Sequence, residues 1–214
     1  MHNSDVQTLM ITTRCAGQCR PCPFAGGKLP QRFLGTQDVV AAVQSSLARL
    51  VVITGGEPLE HPHFHDIVRA LQRTPRQSGS ASFRVATGGH IPLQTFIEDL
   101  KECDRFVGFS IGTDVISKAC TMRASHTKIW KENITALNSV GLAYSLTLTL
   151  HPAEDHLAQT NLNAVCAPLR AAARFGARPK FIYLRHGHAE KKLDALGNLI
   201  AKLFQNTEII YDSI

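Results

Sequence analysis

"LVVITGGEPLEHPHFHDIVRAL", residues 50–71, reads as one complete strand–turn–helix unit. "LVVIT" (50–54) is short, apolar and rich in β-branched side chains, the pattern of a strand buried on both faces. Two glycines end it. Pro62 then opens a helix whose apolar residues Phe64, Ile67, Val68 and Leu71 follow the i, i+3, i+4, i+7 spacing of a single buried stripe. The same unit recurs along the chain. Further strands are expected at "TLMIT" (8–12), "FRVAT" (83–87), "FVGFSI" (106–111), "AYSLTLTL" (143–150) and "KFIYL" (180–184). Helices fill the gaps. One is capped by Thr36 and carries Val39, Val40, Val43 and Leu47; another is opened by Pro92 and carries Leu93, Phe96, Ile97 and Leu100. A third is capped by Ser125, carries Trp130, Ile134 and Leu137, and stops at Gly141. A fourth carries Leu162, Val165, Cys166 and Leu169, with Pro168 as a point of kinking, and ends near Gly176; the last carries Leu193, Leu196, Ile200 and Leu203. The tail "TEIIYDSI" suits a final edge strand or a cover.

Six strand–helix repeats in order imply a parallel sheet with right-handed crossovers. A closed eight-unit barrel takes about 250 residues, and this chain has 214. The expected fold is therefore α/β: an open, partial (β/α)6 barrel of the TIM type, with a doubly wound open sheet as the other solution. Both place chemistry at the C-terminal ends of the strands. No linker, repeat or low-complexity tract divides the chain, so residues 1–214 are expected to form a single domain, with a core at about 7–187 and a C-terminal helix and tail at 188–214.

Hydrophobic residues make up 44 % of the chain, enough for one sizeable core. No apolar run approaches the roughly 18 residues of a transmembrane helix, and no signal peptide is visible at the N-terminus. The expected compartment is the cytoplasm, where thiols stay reduced. The net charge of +6 suits an anionic small ligand. The basic residues are scattered rather than gathered into a stripe with aromatics, which argues against nucleic-acid binding.

Three of the six cysteines, Cys15, Cys19 and Cys22, form C-x3-C-x2-C just past the first strand. Structural zinc takes four ligands, commonly from C-x2-C pairs, and here the fourth would come from afar, from "HPHFH" or "LRHGH". A 4Fe–4S cluster takes one thiolate per iron, so three leave one iron open, and an open coordination position is where chemistry happens.

These residues resemble the radical S-adenosylmethionine (radical SAM) superfamily. The resemblance rests on C-x3-C-x2-C after the first strand of a partial barrel and on Gly-Gly-Glu ending the second, here "TGGEP" (Thr54 to Pro58), and runs from about residue 7 to about 187. It implies a 4Fe–4S cluster held by Cys15, Cys19 and Cys22, with S-adenosylmethionine on the open iron. One electron then cleaves the sulfonium, and the resulting 5′-deoxyadenosyl radical takes a hydrogen atom from a substrate. It further implies that the strand edge at Gly55 and Gly56, with Glu57, receives the methionine amino group. Relatives carry an aromatic residue directly before the third cysteine, against the adenine; Pro21 stands there, and Phe24 takes that assignment.

The resemblance also assigns residues at the later strand ends. "ATGGH" stands where relatives have Thr-Asn-Gly; Thr87 and Gly89 fit and Gly88 replaces the asparagine. His90 is read as an exposed loop residue. Ser110, in "FSIGTD", aligns with a position that meets the ribose or methionine carboxylate, whereas Gly112 stands in place of the usual acid. Arg123 lies where relatives place a carboxylate-binding arginine. Thr147, Thr149 and His151 alternate toward the interior, and Arg185, His186 and His188 end the last strand. Cys120 sits where some radical SAM epimerases keep a thiol that returns a hydrogen atom to the substrate radical. Cys103 and Cys166 are read as core residues, and His61, His63 and His65 as the start of a helix rather than a metal site.

The implied substrate is a small molecule, a nucleoside or sugar derivative, or a peptide, in natural-product or cofactor chemistry such as epimerisation or rearrangement. A reductant such as flavodoxin or ferredoxin is an implied partner. The alternatives are a glycyl-radical activating enzyme and a non-enzymatic regulator binding zinc or an iron–sulfur cluster.

Overall fold

The computed structural model describes residues 5–17, 19, 22–75, 80–112, 124–150, 167–186, 198, 200–204 and 207–213. Seven parallel strands are joined edge to edge in sequence order: β1 (Val6–Thr12), β2 (Leu50–Gly55), β3 (Ser82–Thr87), β4 (Phe106–Gly112), β5 (Tyr144–Leu150), β6 (Phe181–His186) and β7 (Glu208–Ser213). The six expected strands are in place. The tail supplies the seventh, with Phe181 opposite Glu208 and His186 opposite Ser213. Between them lie α1 (Thr36–Ser45), α2 (Phe64–Arg73), α3 (Gln94–Lys101), α4 (Ala124–Val140) and α5 (Ala167–Arg174).

The strand order decides between the two folds. A doubly wound sheet reverses direction at a switch point; this sheet never does, so it is an α/β partial barrel. The strands differ from expectation in one respect. Burial alternates along β2 and β3, with Val51, Ile53, Phe83 and Val85 buried and their neighbours only half-buried. The buried face packs on the helices through Val39, Val43, Phe64, Ile67, Ile97 and Trp130. The other face is the inner one of an open barrel, which no helix covers among the described residues, and there Arg84 and Ser110 stand half-buried.

Helix starts fall one or two residues from the expected caps. Gly35, not Thr36, is the N-cap of α1. Leu47 lies beyond the end of α1 and is 82 % exposed, because the chain has already turned toward β2. Ser125 falls inside α4 rather than capping it. Gly141 ends α4 with φ near +70°, a conformation glycine adopts without strain. Pro168 is the second residue of α5 as described, and residues 151–166, on which the expected kink depends, lie outside the described residues. Ile200 and Leu203 pack in the core; Leu162, Val165, Leu193 and Leu196 lie outside the described residues.

Candidate active site

The three cysteines lie on one excursion between β1 and α1. It is closed at its base by an antiparallel bridge between Thr12 and Phe33, by the Thr13 N–H donating to the Arg32 carbonyl, and by the Thr13 hydroxyl, which accepts from the Arg32 N–H at 2.8 Å and donates to the Pro30 carbonyl at 2.7 Å. Inside it, the Cys22 N–H donates to the Cys19 carbonyl, the Gly26 N–H to the Gly17 carbonyl and the Gly27 N–H to the Cys15 carbonyl. Gly26 and Gly27 both have φ near +65 to +70°, so the chain doubles back after Cys22 as only glycine does readily. Cys15, Cys19 and Cys22 are in no disulfide, and all three are half-buried. Burial pushes the Cys15 thiol up to about 12, and the charges of Glu57, Glu60 and Cys19 push the same way against a bond from the Gly17 backbone. Such a thiol becomes a ligand when a metal supplies the compensating charge. Phe24 is half-buried at the start of the 3-10 turn Ala25–Gly27.

Gly55 and Gly56 carry this excursion. The Gly56 N–H donates to the Thr12 carbonyl at 2.8 Å and the Glu57 N–H to the Arg14 carbonyl at 2.7 Å. A Cβ on Gly55 would stand 2.2 Å from the Thr12 carbonyl oxygen, and one on Gly56 would stand 2.2 Å from that of Arg14. The glycine pair is thus required first by the root of the cysteine loop, which lies directly against it.

Glu57 is fully buried. Its Oε2 accepts from the Thr87 hydroxyl at 3.0 Å and from the Gly88 N–H at 2.9 Å, and its Oε1 accepts from the Leu59 N–H at 3.2 Å. Burial pushes its carboxyl above the usual range; His90 and the three donors oppose that. Glu57 and Thr87 therefore tie the ends of β2 and β3 together.

His90 is buried, not exposed as its loop position suggests. Its Nε2 lies 3.3 Å from Glu60 Oε1 and its Nδ1 3.7 Å from Glu57 Oε2. Burial acts to lower its pKa, but the contact with Glu60 and the charges of Glu57 and Glu60 outweigh that and raise it. Glu60 moves the other way. Burial favours its neutral form, yet His90, the Ala16 N–H and Arg14 together bring it below the usual carboxylate value. Gly88 makes room for this histidine, since a Cβ there would lie 2.9 Å from His90 Nδ1.

The β3–α3 loop that carries His90 is latched by α4. Asn133, 3 % exposed, donates through Nδ2 to the Gly89 and Ile91 carbonyls and accepts from the Leu93 N–H at 2.8 Å. One turn earlier, Trp130 Nε1 donates to the Gly112 carbonyl at the end of β4. Asn133 and Glu60 drew no assignment from the sequence, and His90 drew the wrong one, an exposed loop residue. For Asn133 the signal is its place on the buried stripe between Trp130 and Leu137, where a polar residue needs partners.

On the inner face, Ser110 of β4 and Thr147 of β5 share a hydrogen bond of 2.9 Å. Thr149 of β5 stands opposite Arg185 of β6 in the sheet register. Cys120, Arg123, His151, Cys166 and His188 lie outside the described residues. Cys103 is buried before β4, at the opposite end of the barrel, as its assignment to the core requires. His61, His63 and His65 do not converge on a metal site among the described residues. His61 Nε2 contacts the Leu34 carbonyl, its Nδ1 accepts from the His63 N–H, and His65 pairs with Asp99 at 2.7 Å. The ligand-type groups that do converge are Cys15, Glu60 and His90, within 4.8 Å of one another.

A family profile described as the radical SAM superfamily matches residues 9–158. The chain belongs to that superfamily, whose members use a 4Fe–4S cluster and S-adenosylmethionine. The crystal structure of methylornithine synthase (PylB) is similar in fold, with a TM-score of 0.55 at 10 % identity. The similarity covers 84 % of this chain and 52 % of that one, so this chain spans about half its length. No curated protein matches the sequence. The donor set suits the cluster: three reduced thiols on one closed loop, with Cys103, the other described cysteine, at the far end of the barrel. No described helix is long and apolar enough to cross a membrane.

Proposed function

We propose that Cys15, Cys19 and Cys22 hold the 4Fe–4S cluster and that the enzyme abstracts a hydrogen atom from a small organic substrate, a nucleoside or sugar derivative or a short peptide, in a natural-product or cofactor pathway. When bound, the cluster supplies the electron that cleaves S-adenosylmethionine to a 5′-deoxyadenosyl radical. Everything else falls to this chain's own residues. The backbone at Gly55 and Gly56 offers the strand edge on which the methionine amino group docks. Glu57, occupied by Thr87, Gly88 and Leu59, sets the shape of that edge from beneath and places a carboxylate close to the amino group. Phe24 covers the adenine. Ser110, hydrogen-bonded to Thr147, presents a hydroxyl to the ribose or carboxylate. Thr149 and Arg185, paired across β5 and β6, supply polar groups at the barrel mouth, and Arg123 binds the carboxylate. Cys120 is the proposed hydrogen donor to the substrate radical. Flavodoxin or ferredoxin is the proposed reductant, and the cytoplasm the proposed compartment.

The observation that carries this reading is the closed cysteine loop seated on Gly55–Glu57 at the C-terminal end of β2. Anaerobic reconstitution followed by dithionite reduction with S-adenosylmethionine tests it. The expected result is a brown protein with about four irons per chain and release of 5′-deoxyadenosine. Tightly held zinc, or a cluster with every iron ligated by protein and no cleavage, overturns it.

A further inference from the structure

Glu60 and His90 have no part in the reading above, yet they stand directly behind the first cysteine. Glu60 lies in the 3-10 turn Pro58–Glu60 after β2, and His90 in the loop after β3. Glu60 grips the residues on both sides of Cys15. Its Oε1 accepts from the Ala16 N–H at 2.8 Å, and its Oε2 pairs with Arg14 Nε at 3.4 Å. His90 Nε2 holds the same carboxylate from behind at 3.3 Å. Both side chains are more than nine-tenths buried, so the carboxylate has little freedom to leave. His90 is itself fixed, because Asn133 latches the carbonyl before it, and Gly88 vacates the space its ring occupies.

We propose that Glu60, buttressed by His90, is a positioning residue that holds Cys15 in place for iron and sets the electrostatic environment of the cluster. The inference rests on the cluster reading. Groups behind metal ligands orient them, and losing one typically weakens metal retention about tenfold or more. Charge close to a cluster also sets its reduction potential. A carboxylate within 4.8 Å of the Cys15 sulfur opposes arrival of a further electron. The fold therefore makes this cluster harder to reduce than it would be without Glu60.

The test compares the wild-type chain with Glu60→Gln, Glu60→Leu and His90→Asn after anaerobic reconstitution. The readouts are iron retained against a chelator, the EPR spectrum of the reduced cluster, and its midpoint potential. Glu60→Gln keeps an oxygen for the Ala16 N–H and removes the charge. It is expected to retain iron at near wild-type level, to melt at the wild-type temperature, and to show a raised midpoint potential. Glu60→Leu is expected to retain iron about tenfold less well, with His90→Asn in between. Unchanged iron retention in Glu60→Leu, or an unchanged potential in Glu60→Gln, overturns the proposal while leaving the cluster reading intact. A wild type that takes up one zinc through Cys15, Glu60 and His90 and no cluster overturns both.

Discussion

Gly56 and Arg14 meet backbone to backbone. A Cβ on Gly56 would lie 2.2 Å from the Arg14 carbonyl oxygen, 2.7 Å from its carbon and 2.9 Å from the Thr13 carbonyl oxygen. All three atoms are main chain, so no side chain can swing aside. Gly56→Ala is therefore expected to cost about 1–3 kcal/mol and to push the root of the cysteine loop off β2. Gly112→Ala is the matched comparison, because among the described residues its nearest neighbour would be 3.7 Å away; it should lie within about 0.5 kcal/mol of wild type. Urea melts and iron analysis after reconstitution measure both. A Gly56→Ala protein that loads iron like wild type removes this account of the glycine pair.

The thiols separate by place in the barrel. Alanine at Cys15, Cys19 or Cys22 is expected to bring 5′-deoxyadenosine production to background with little change in the melting curve, since all three are only half-buried. Alanine at Cys103, which is 3 % exposed, should do the reverse: retain the cluster and its activity while losing roughly 1–2 kcal/mol of stability. Iron per chain and thermal melts on the four proteins make the comparison. Full iron content in any of the three loop variants contradicts the assignment.

Asn133 uses its whole amide on the β3–α3 loop. With alanine there, the Leu93 N–H and the Gly89 and Ile91 carbonyls lose their partner in a buried setting. Unsatisfied buried groups cost on the order of 1–3 kcal/mol each, with water recovering part of that. A net loss of about 3 kcal/mol is expected, and the loop carrying His90 should exchange its amides faster. Asn133→Asp keeps the acceptor for Leu93 but cannot donate, so it should rescue little. A loss below about 0.5 kcal/mol would show that the latch is not structural.

Much of this architecture was legible because the sheet has one period and the helices another. Strand-forming runs such as "LVVIT" and stripes such as Phe64, Ile67, Val68 and Leu71 recur in strict order, and the observed β2 and α2 follow them closely. The inner face was misread because an apolar run looks the same whether one face or two are covered; the alternating burial along β2 and β3 distinguishes them. Cys15, Cys19 and Cys22 were legible because their spacing is local. Glu60 and His90 were not, since they are 30 residues apart and meet only through the parallel pairing of β2 with β3. His90 also follows two glycines, the usual mark of an exposed loop, and Asn133 of the distant α4 is what draws that loop inward.

His61 gives the fold a measurable dependence on pH. Its ring is 4 % exposed and sits edge-on to Phe33. The Nδ1 accepts from the His63 N–H at 3.1 Å, which leaves the proton on Nε2, facing the Leu34 carbonyl at 3.0 Å. A second proton would occupy the acceptor that the His63 N–H needs. Burial, helped by the neighbouring His63, lowers the pKa from its ordinary 6.5, against the pull of the Leu34 carbonyl. The unfolded chain thus takes up a proton at higher pH than the folded one, so the sign is fixed. The contribution of His61 to stability is fully present above 6.5 and is lost as pH falls through the lower folded value. His61→Asn keeps an acceptor for the His63 N–H and does not titrate. Wild type should exceed the variant in melting temperature above neutrality, with the gap narrowing as pH falls from about 7.5 to 5. Melting curves that run parallel for the two proteins across that range would mean that His61 titrates alike in the folded and unfolded chain.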